Sequence, residues 1–241
     1  MNVMFNKNKF FKSAASFFRK VIILTLVVTI VPVVLLRWVP PLTSAFMIRK
    51  SIASVWSGSK TYKTRYNWTP LNKISRHAVI AVIASEDQMF PEHFGFDFDS
   101  ISDAMKKHSR GKHLRGASTI SQQVAKNLFL WPGRSFVRKG LEAYFTVLIE
   151  TIWPKKRIIE VYLNTAEFGN GIFGVGAASE IYFKKPPSRL SFSEAALLAA
   201  VLPNPALLHV NRPSRYLTIR QNWVIEQISQ LGGTDYFRTK Q

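Results

Sequence analysis

The 241 residues carry 33 Lys and Arg against 14 Asp and Glu, a net charge of +19, and no cysteine. The lack of cysteine excludes disulfides and thiolate metal ligation, and the basic excess calls for an anionic partner: nucleic acid, an anionic bilayer surface or a phosphorylated substrate. The length accommodates one membrane anchor and one globular domain of ordinary size. Residues 1–50 hold eight of the basic residues and no acid, so the rest of the chain carries +11, and the first carboxylate is Glu86.

Residues 1–20 read as a basic tail with Lys7, Lys9, Lys12, Arg19 and Lys20. Val21–Leu36, "VIILTLVVTIVPVVLL", has no charge, and residues 21–41 are expected to form a transmembrane anchor, with Arg37 snorkelling and Trp38 in the aromatic belt. Five basic residues before the span place the N-terminus in the cytoplasm and the remainder outside. A cleaved signal peptide is the competing reading; the apolar run is long for one, and "PPLTSAFM" is a poor cleavage site. With an anchor in place, nucleic acid drops out as a partner and lipid phosphate is favoured. Residues 42–70 read as a juxtamembrane connection lying near the lipid surface, or as a solvated linker.

From residue 71 the pattern is helical. Ile74, Ala78, Ala81 and Val82 share a face that leads to Glu86, and Pro91 bars continuation. Ile120, Val124 and Leu128 form a stripe, with Ser118 or Thr119 as its N-cap. Leu141, Tyr144, Phe145, Leu148, Ile149 and Ile152 form another, and Pro154, near the first helical position, opens the next helix. Ser191 and Glu194 make a capping box, and Val224, Ile228 and Leu231 mark a last helix stopped by Gly232-Gly233. No segment alternates with period two over several residues, so the domain is read as mainly α.

Four stretches could carry chemistry. In "ASEDQMFPEHFGFD", residues 84–97, a Glu walled by Phe90, His93 and Gly95 would have a raised pKa and act as a general base; the plain alternative is solvated acids at a helix end. "RGASTISQQVAKN", 115–127, offers Gly116, helix-start amides and Lys126 to an anion, or is an ordinary capped helix with a solvated face. In "GRSFVRKGLE", 133–142, Arg134, Arg138, Lys139 and Glu142 read either as a pyrophosphate clamp with a second carboxylate or as surface ion pairs. "GNGIFG", 169–174, fits the dinucleotide fingerprint but is preceded by a segment that reads as helical rather than as the required strand. "SGSK", 57–60, is a chance match to a β-lactam-enzyme motif, and the five histidines have no zinc-like spacing.

Taken in order, "EDQMFPEHFGFD", "GASTISQQVAKNLF", "RKGLE", "KKRIIEVYLNTAEFGNGIFGVGAAS" and "EAALLAAVLPNP" resemble the five motifs of family 51 glycosyltransferases, the peptidoglycan polymerases. The match runs from about residue 70 to 210, and the short length with one anchor resembles the family's monofunctional members. Ala117 and Ser121 replace the family's usual Gly and Thr in the second motif, conserving small or hydroxyl character. The resemblance implies a mainly α fold: a lysozyme-like helical lobe and a small membrane-facing lobe that includes "FDFDSISDAMKKHSRGKHL" (96–114), together filling residues 71–241.

It also implies a mechanism. A growing glycan chain on undecaprenyl pyrophosphate is the donor and lipid II the acceptor; Glu86 removes the proton from the GlcNAc 4-hydroxyl, giving inversion and a β-1,4 bond. Asp87 and His93 would support Glu86 and shape the acceptor side, and both, with Phe90, are expected to contact substrate. Ser118, Thr119, Gln122 and Gln123 would line the donor cleft, and Lys126, Arg134, Arg138 and Lys139 would hold the pyrophosphate. Glu142, the second catalytic acid, would orient those cations or hold a divalent metal, Mg or Mn, although no cofactor is required for the chemistry. Partners would be lipid II, nascent glycan, membrane lipids and proteins of the division or elongation machinery, at the bacterial inner membrane with a periplasmic catalytic domain. A lytic peptidoglycan-cleaving enzyme and a non-catalytic division scaffold are the alternatives.

Overall fold

The computed structural model of the chain describes residues 7–58, 62–99, 102, 118–133 and 135–240. Arg134, Gly116, Lys60 of the S-x-x-K match and most of the 96–114 segment lie outside the described residues. Two compact units are present, residues 1–39 and 40–241.

The first unit is one helix, α1 (Lys7–Leu36). Its apolar part, Phe11–Leu36, is 26 residues long, about 39 Å at the helical rise and longer than the ~30 Å of a bilayer core. The hydroxyls of Thr25 and Thr29 donate to the carbonyls of Val21 and Thr25 one turn back, which hides their polarity along the apolar surface.

The second unit is helical apart from a small sheet. The stretch expected as a connection over 42–70 contains α2 (Ala45–Trp56), capped by Ser44, and strand β1 (Arg65–Tyr66). It is followed by α3 (Arg76–Glu86), α4 (Ile120–Phe129), α5 (Phe136–Ile152) and α6 (Lys155–Thr165), which starts after Pro154 in the N-cap position. Next come β2 (Glu167–Gly169), β3 (Ile172–Phe173) and α7 (Gly174–Ala178), then α8 (Phe192–Val201), α9 (Arg215–Gln230) and α10 (Tyr236–Thr239). β3 is central, parallel to β1 and antiparallel to β2.

The strands add a short sheet to the mainly α domain, and Glu167, read as the end of a helical segment, opens one of them. At two or three residues each, they are too short for alternation to register. A strand does precede Gly169, but it turns back through a hairpin instead of opening a phosphate loop. Gly174 ends that hairpin at φ +83, where a Cβ would lie 2.7 Å from the Asn164 carbonyl oxygen. Its N–H donates to the Ala166 carbonyl (2.9 Å), so the glycine there serves close backbone packing.

Two helix groups share the core. α3 and α8 are apolar on nearly every side and buried, packing with α9, while α4, α5 and α6 form the other group. On α5 the buried face is rotated from the expected stripe. Phe145 and Ile149 are inside, but so are Glu142, Thr146 and Glu150, with Leu141, Tyr144, Leu148 and Ile152 only half-buried. The two acids are tolerated there because each meets cations: Glu150 accepts from Lys155 (2.8 Å) and from the Ser121 hydroxyl, and Glu142 from two bases described below.

Asn164, fully buried on α6, joins the sheet side to this group. Its Oδ1 accepts from the Thr69 amide (2.7 Å), and its Nδ2 donates to the carbonyls of Thr69 (2.9 Å) and Glu160 (2.8 Å). Asn164→Ala strands the Thr69 amide and carbonyl in the interior, and should lower stability by about 2–3 kcal/mol, read as a drop in Tm of the detergent-solubilised chain.

Candidate active site

A cleft of about 1000 Å³ opens where the two helix groups meet, lined by Glu86, Gln123, Lys126, Asn204, Arg220 and Trp223 among others. Glu86 is the last residue of α3, so the helix geometry directs its side chain out of the core. A second space of about 290 Å³ adjoins the cleft, sharing Ser85, Glu86, Ser118 and Trp223 with it and adding Met89 and Asp97. Glu86 therefore borders both spaces.

The Glu86 side chain is 13% exposed. Oε2 accepts from Gln123 Nε2 (3.1 Å), and Oε1 lies 3.2 Å from the Ser85 hydroxyl and 3.9 Å from Arg220 Nη2. Burial raises its pKa above the ordinary carboxylate range, opposed by Gln123, Arg220, Ser85 and Lys126. The hydroxyl of Tyr162, buried on α6, donates to Gln123 Oε1 (3.2 Å). Because a phenol in this setting supplies the proton, the Gln123 amide is fixed with its NH₂ toward Glu86.

Asp87 does different work. Its carboxylate accepts from His93 Nε2 (2.9 and 3.0 Å) and from the backbone N–H of Ile120 (2.8 Å), the first residue of α4. His93 Nδ1 accepts from the Gly95 amide (3.1 Å), so Nε2 carries the proton given to Asp87. A carboxylate at the start of a helix also meets the positive end of its dipole. Gly95 sits at φ +82, and a Cβ there would come within 2.8 Å of Thr146, so the loop can close on α5 only with glycine.

Several expected ligand contacts are spent inside the protein. Phe90 is fully buried, stacked on Phe237 (5.9 Å) and capped by Lys155 Nζ (4.6 Å from the ring centre), so it holds the loop from within and has no surface to offer a substrate. Thr119 and Gln122 form a capping box, the Thr119 amide donating to Gln122 Oε1 (3.0 Å) and the Gln122 amide to Thr119 Oγ1 (3.2 Å). Thr119 Oγ1 also donates to the Gly95 carbonyl (2.7 Å). Ser118 is exposed and lines both spaces.

The cations divide likewise. Lys126 lines the cleft, and its ammonium has no hydrogen bond or ion pair among the described residues. Burial lowers its pKa; Arg138 and Lys139 push the same way, and Glu142 and Glu86 oppose. Glu142, expected to share the cleft with Glu86, is buried and outside the cleft walls described above. Arg138 Nη1 (2.8 Å) and Lys139 Nζ (2.5 Å) donate to its two oxygens. With both oxygens bound by cations, and no group of three acids or histidines among the described residues, this neighbourhood does not fit a protein-held divalent metal.

Arg220 and Tyr162 are site residues that the sequence did not single out. Arg220 reaches from α9 to both helices of its group: Nε donates to the Ala200 carbonyl (3.2 Å) and Nη2 to the Ser85 hydroxyl (3.2 Å), with the guanidinium over Trp223 (5.4 Å). "LTIRQNW" carries no local signal for this, since the partner lies 135 positions away.

The chain belongs to the transglycosylase family, whose model matches residues 52–229. It is 51% identical over 227 residues to a biosynthetic peptidoglycan transglycosylase of Mannheimia succiniciproducens, covering 94% of this chain and 91% of that protein. Proteins of the same name from Pasteurella multocida (53% over 209 residues; 87% and 85% covered) and Haemophilus influenzae (54% over 201 residues; 83% and 81%) are similar to it as well. The chain is thus an enzyme of this family, and the mainly α, lysozyme-like architecture expected from the sequence is the one it adopts.

A carboxyl with a raised folded-state pKa contributes stability that is present below its unfolded pKa and lost as pH rises through the folded value. Glu86→Gln removes that loss, so its Tm relative to wild type should rise as pH increases from about 4 to 8. Arg220→Gln withdraws a charge that favours ionised Glu86. It should shift the acid limb of the pH–rate profile to higher pH, measured from initial rates across the pH range.

Proposed function

We infer that this chain polymerises the glycan strands of peptidoglycan. The acceptor is lipid II, and the donor is the growing strand joined through its reducing end to undecaprenyl pyrophosphate. The observation that carries the reading is that a desolvated carboxylate, Glu86, and a lysine without a contact partner among the described residues, Lys126, line one cleft.

Glu86 takes the proton of the acceptor GlcNAc 4-hydroxyl as that oxygen attacks the donor anomeric carbon. The carbon–oxygen bond to pyrophosphate breaks on the opposite face, giving inversion and a β-1,4 link, and the pyrophosphate leaves with the electron pair. It is a stable anion near pH 7 and needs no proton from the protein. What it needs is positive charge where charge develops. Lys126 supplies this directly, while Arg138 and Lys139, organised by Glu142, and Arg134 add to the field. A raised Glu86 pKa suits the role, because a base works best when its pKa approaches the working pH. The larger space, holding Lys126, suits the donor, and the smaller one beside Met89 and Asp97 suits the acceptor. Asp87 and His93 position the base and the α4 start instead of touching substrate.

The apolar helix α1 is the anchor, with its basic end in the cytoplasm and the catalytic domain in the periplasm. Tethering both enzyme and prenyl-linked substrates to one membrane raises their effective concentration. Incubating the detergent-solubilised chain with lipid II should yield polymer that lysozyme-type muramidases digest. Glu86→Gln should slow polymerisation by about 10²–10⁴-fold, and Lys126→Ala should also lower kcat. Equal product from wild type and Glu86→Gln removes Glu86 as the base. Shortening of added cell-wall glycan identifies a lytic enzyme, and no reaction with either substrate identifies a scaffold.

A further inference from the structure

Helix α2 carries apolar residues on its outward side as well as its inward one. Its inward side is mixed, with Met47 buried and Phe46 against Phe173, and it includes polar groups fixed to the protein: Lys50 Nζ donates to both oxygens of Glu167 (2.7 and 2.6 Å), and the hydroxyls of Ser51 and Thr64 are 2.9 Å apart. Its aliphatic side faces outward, with Ile48 48%, Ile52 50%, Val55 77% and Trp56 88% exposed. These positions are spaced i, i+4, i+7 and i+8, one stripe along the helix. A water-facing helix buries such a stripe; this one presents it.

Two further observations say what covers the stripe. Eight residues separate Leu36, the end of the apolar helix, from Ala45, so the chain between them reaches at most about 30 Å. Arg49 borders the stripe, and no acid occurs before Glu86, a charge pattern suited to anionic headgroups. We propose that α2 is an interfacial membrane helix, laying Ile48, Ile52, Val55 and Trp56 into the headgroup–acyl boundary of the bilayer that holds α1. This rests on the anchor reading above and extends it.

The consequence concerns substrate access. The inward side of α2 contributes Phe46 and Lys50 to a space of about 290 Å³ that shares Gln123, Lys126 and Asn204 with the main cleft. With α2 in the interface, that wall of the site lies at the lipid surface, and a prenyl-linked pyrophosphate can reach Lys126 while its tail stays among the lipids.

The cysteine-free chain permits a direct test. Ile52→Cys, Val55→Cys and, as a control on exposed α9 surface, Ser229→Cys are labelled with nitrobenzoxadiazole and reconstituted in full-length form into vesicles of mixed phosphatidylethanolamine and phosphatidylglycerol. An interfacial helix is seated about 5–10 Å deep, so labels at 52 and 55 should be quenched by acyl-chain doxyl lipids and be at least about threefold less accessible to iodide than the label at 229. Equal iodide access at all three positions overturns the proposal. Protection from iodide without doxyl quenching, lost when protein is diluted with lipid, also overturns it, because a second copy of the chain would then be the cover. Ile52→Glu with Val55→Glu should keep Tm and turnover of a short-chain soluble substrate while lowering turnover of membrane-embedded substrate; equal loss on both overturns the proposal. The label measurements need no substrate, so they stand whatever the reaction proves to be. Alkaline carbonate extraction checks the anchor separately: release of the chain refutes the anchor reading and this proposal together, whereas a retained chain with water-exposed labels refutes only the placement of α2.

Discussion

The Asp87 carboxylate ties the end of α3 to the loop at His93 and to the start of α4, 33 residues on, and the active-site geometry depends on that tie. It accepts hydrogen bonds from His93 Nε2 and from the first amide of α4, while the Asp87 backbone N–H closes α3 on the Ile83 carbonyl. Glu86 is its immediate neighbour, and Gln123 and Lys126 follow one and two turns into α4. A single buried acid thereby sets the distance between the base and the residues that orient and complement it. The loop between them is held from the other side as well. Lys155 donates to the His93 carbonyl (2.6 Å) and to Glu150, and covers the Phe90 ring. Such a network is stable because its charges are paired and its hydrogen-bonding capacity is used.

Against that compensated background, two groups stand out as incompletely compensated. Glu86 has hydrogen-bond donors from Gln123 and Ser85 but no close ion pair, with Arg220 at 3.9 Å. Lys126 has neighbours of both signs and no contact partner among the described residues. Glu142, Glu150, Glu160 and Glu167, by contrast, each have a basic nitrogen within 2.8 Å. Burying a charge without full pairing costs stability, and it leaves a base and a cation free to act on a ligand. The cleft is thus the place where the fold withholds the pairing it supplies elsewhere.

The same economy of pairing explains α2. Lys50 is drawn inward because Glu167, which also accepts the Gly171 amide (3.0 Å), needs a cation beneath the sheet. Fixing Lys50, with Met47 beside it, inward on a twelve-residue helix turns Ile48, Ile52, Val55 and Trp56 outward. That surface is unfavourable in water and favourable against lipid, so a choice made by one ion pair bears on how the domain meets a membrane.

Much of this was legible in the sequence. The apolar run before Arg37, the capping box of Ser191 and Glu194, the stripe Ile120–Val124–Leu128, the end of the α3 pattern at Glu86 and the ordered motifs all rest on local chemistry, where period, caps and composition act within a few residues. The hairpin strands were too short to announce themselves, and α2 was read as part of a connection because apolar residues lie on both of its sides and leave no clean period. Within the site, residue types alone could not separate Glu86 from Glu142, or Lys126 from Arg138 and Lys139. Nor could they turn Phe90 and Gln122 inward, or bring Arg220 and Tyr162 to the cleft. What the sequence by itself determined was the helical class, the anchor-like span and the set of candidate acids and bases. Only the tertiary structure decided which of them are paired and which remain free, because pairing depends on contacts between segments up to 135 residues apart and on the solvent those contacts remove.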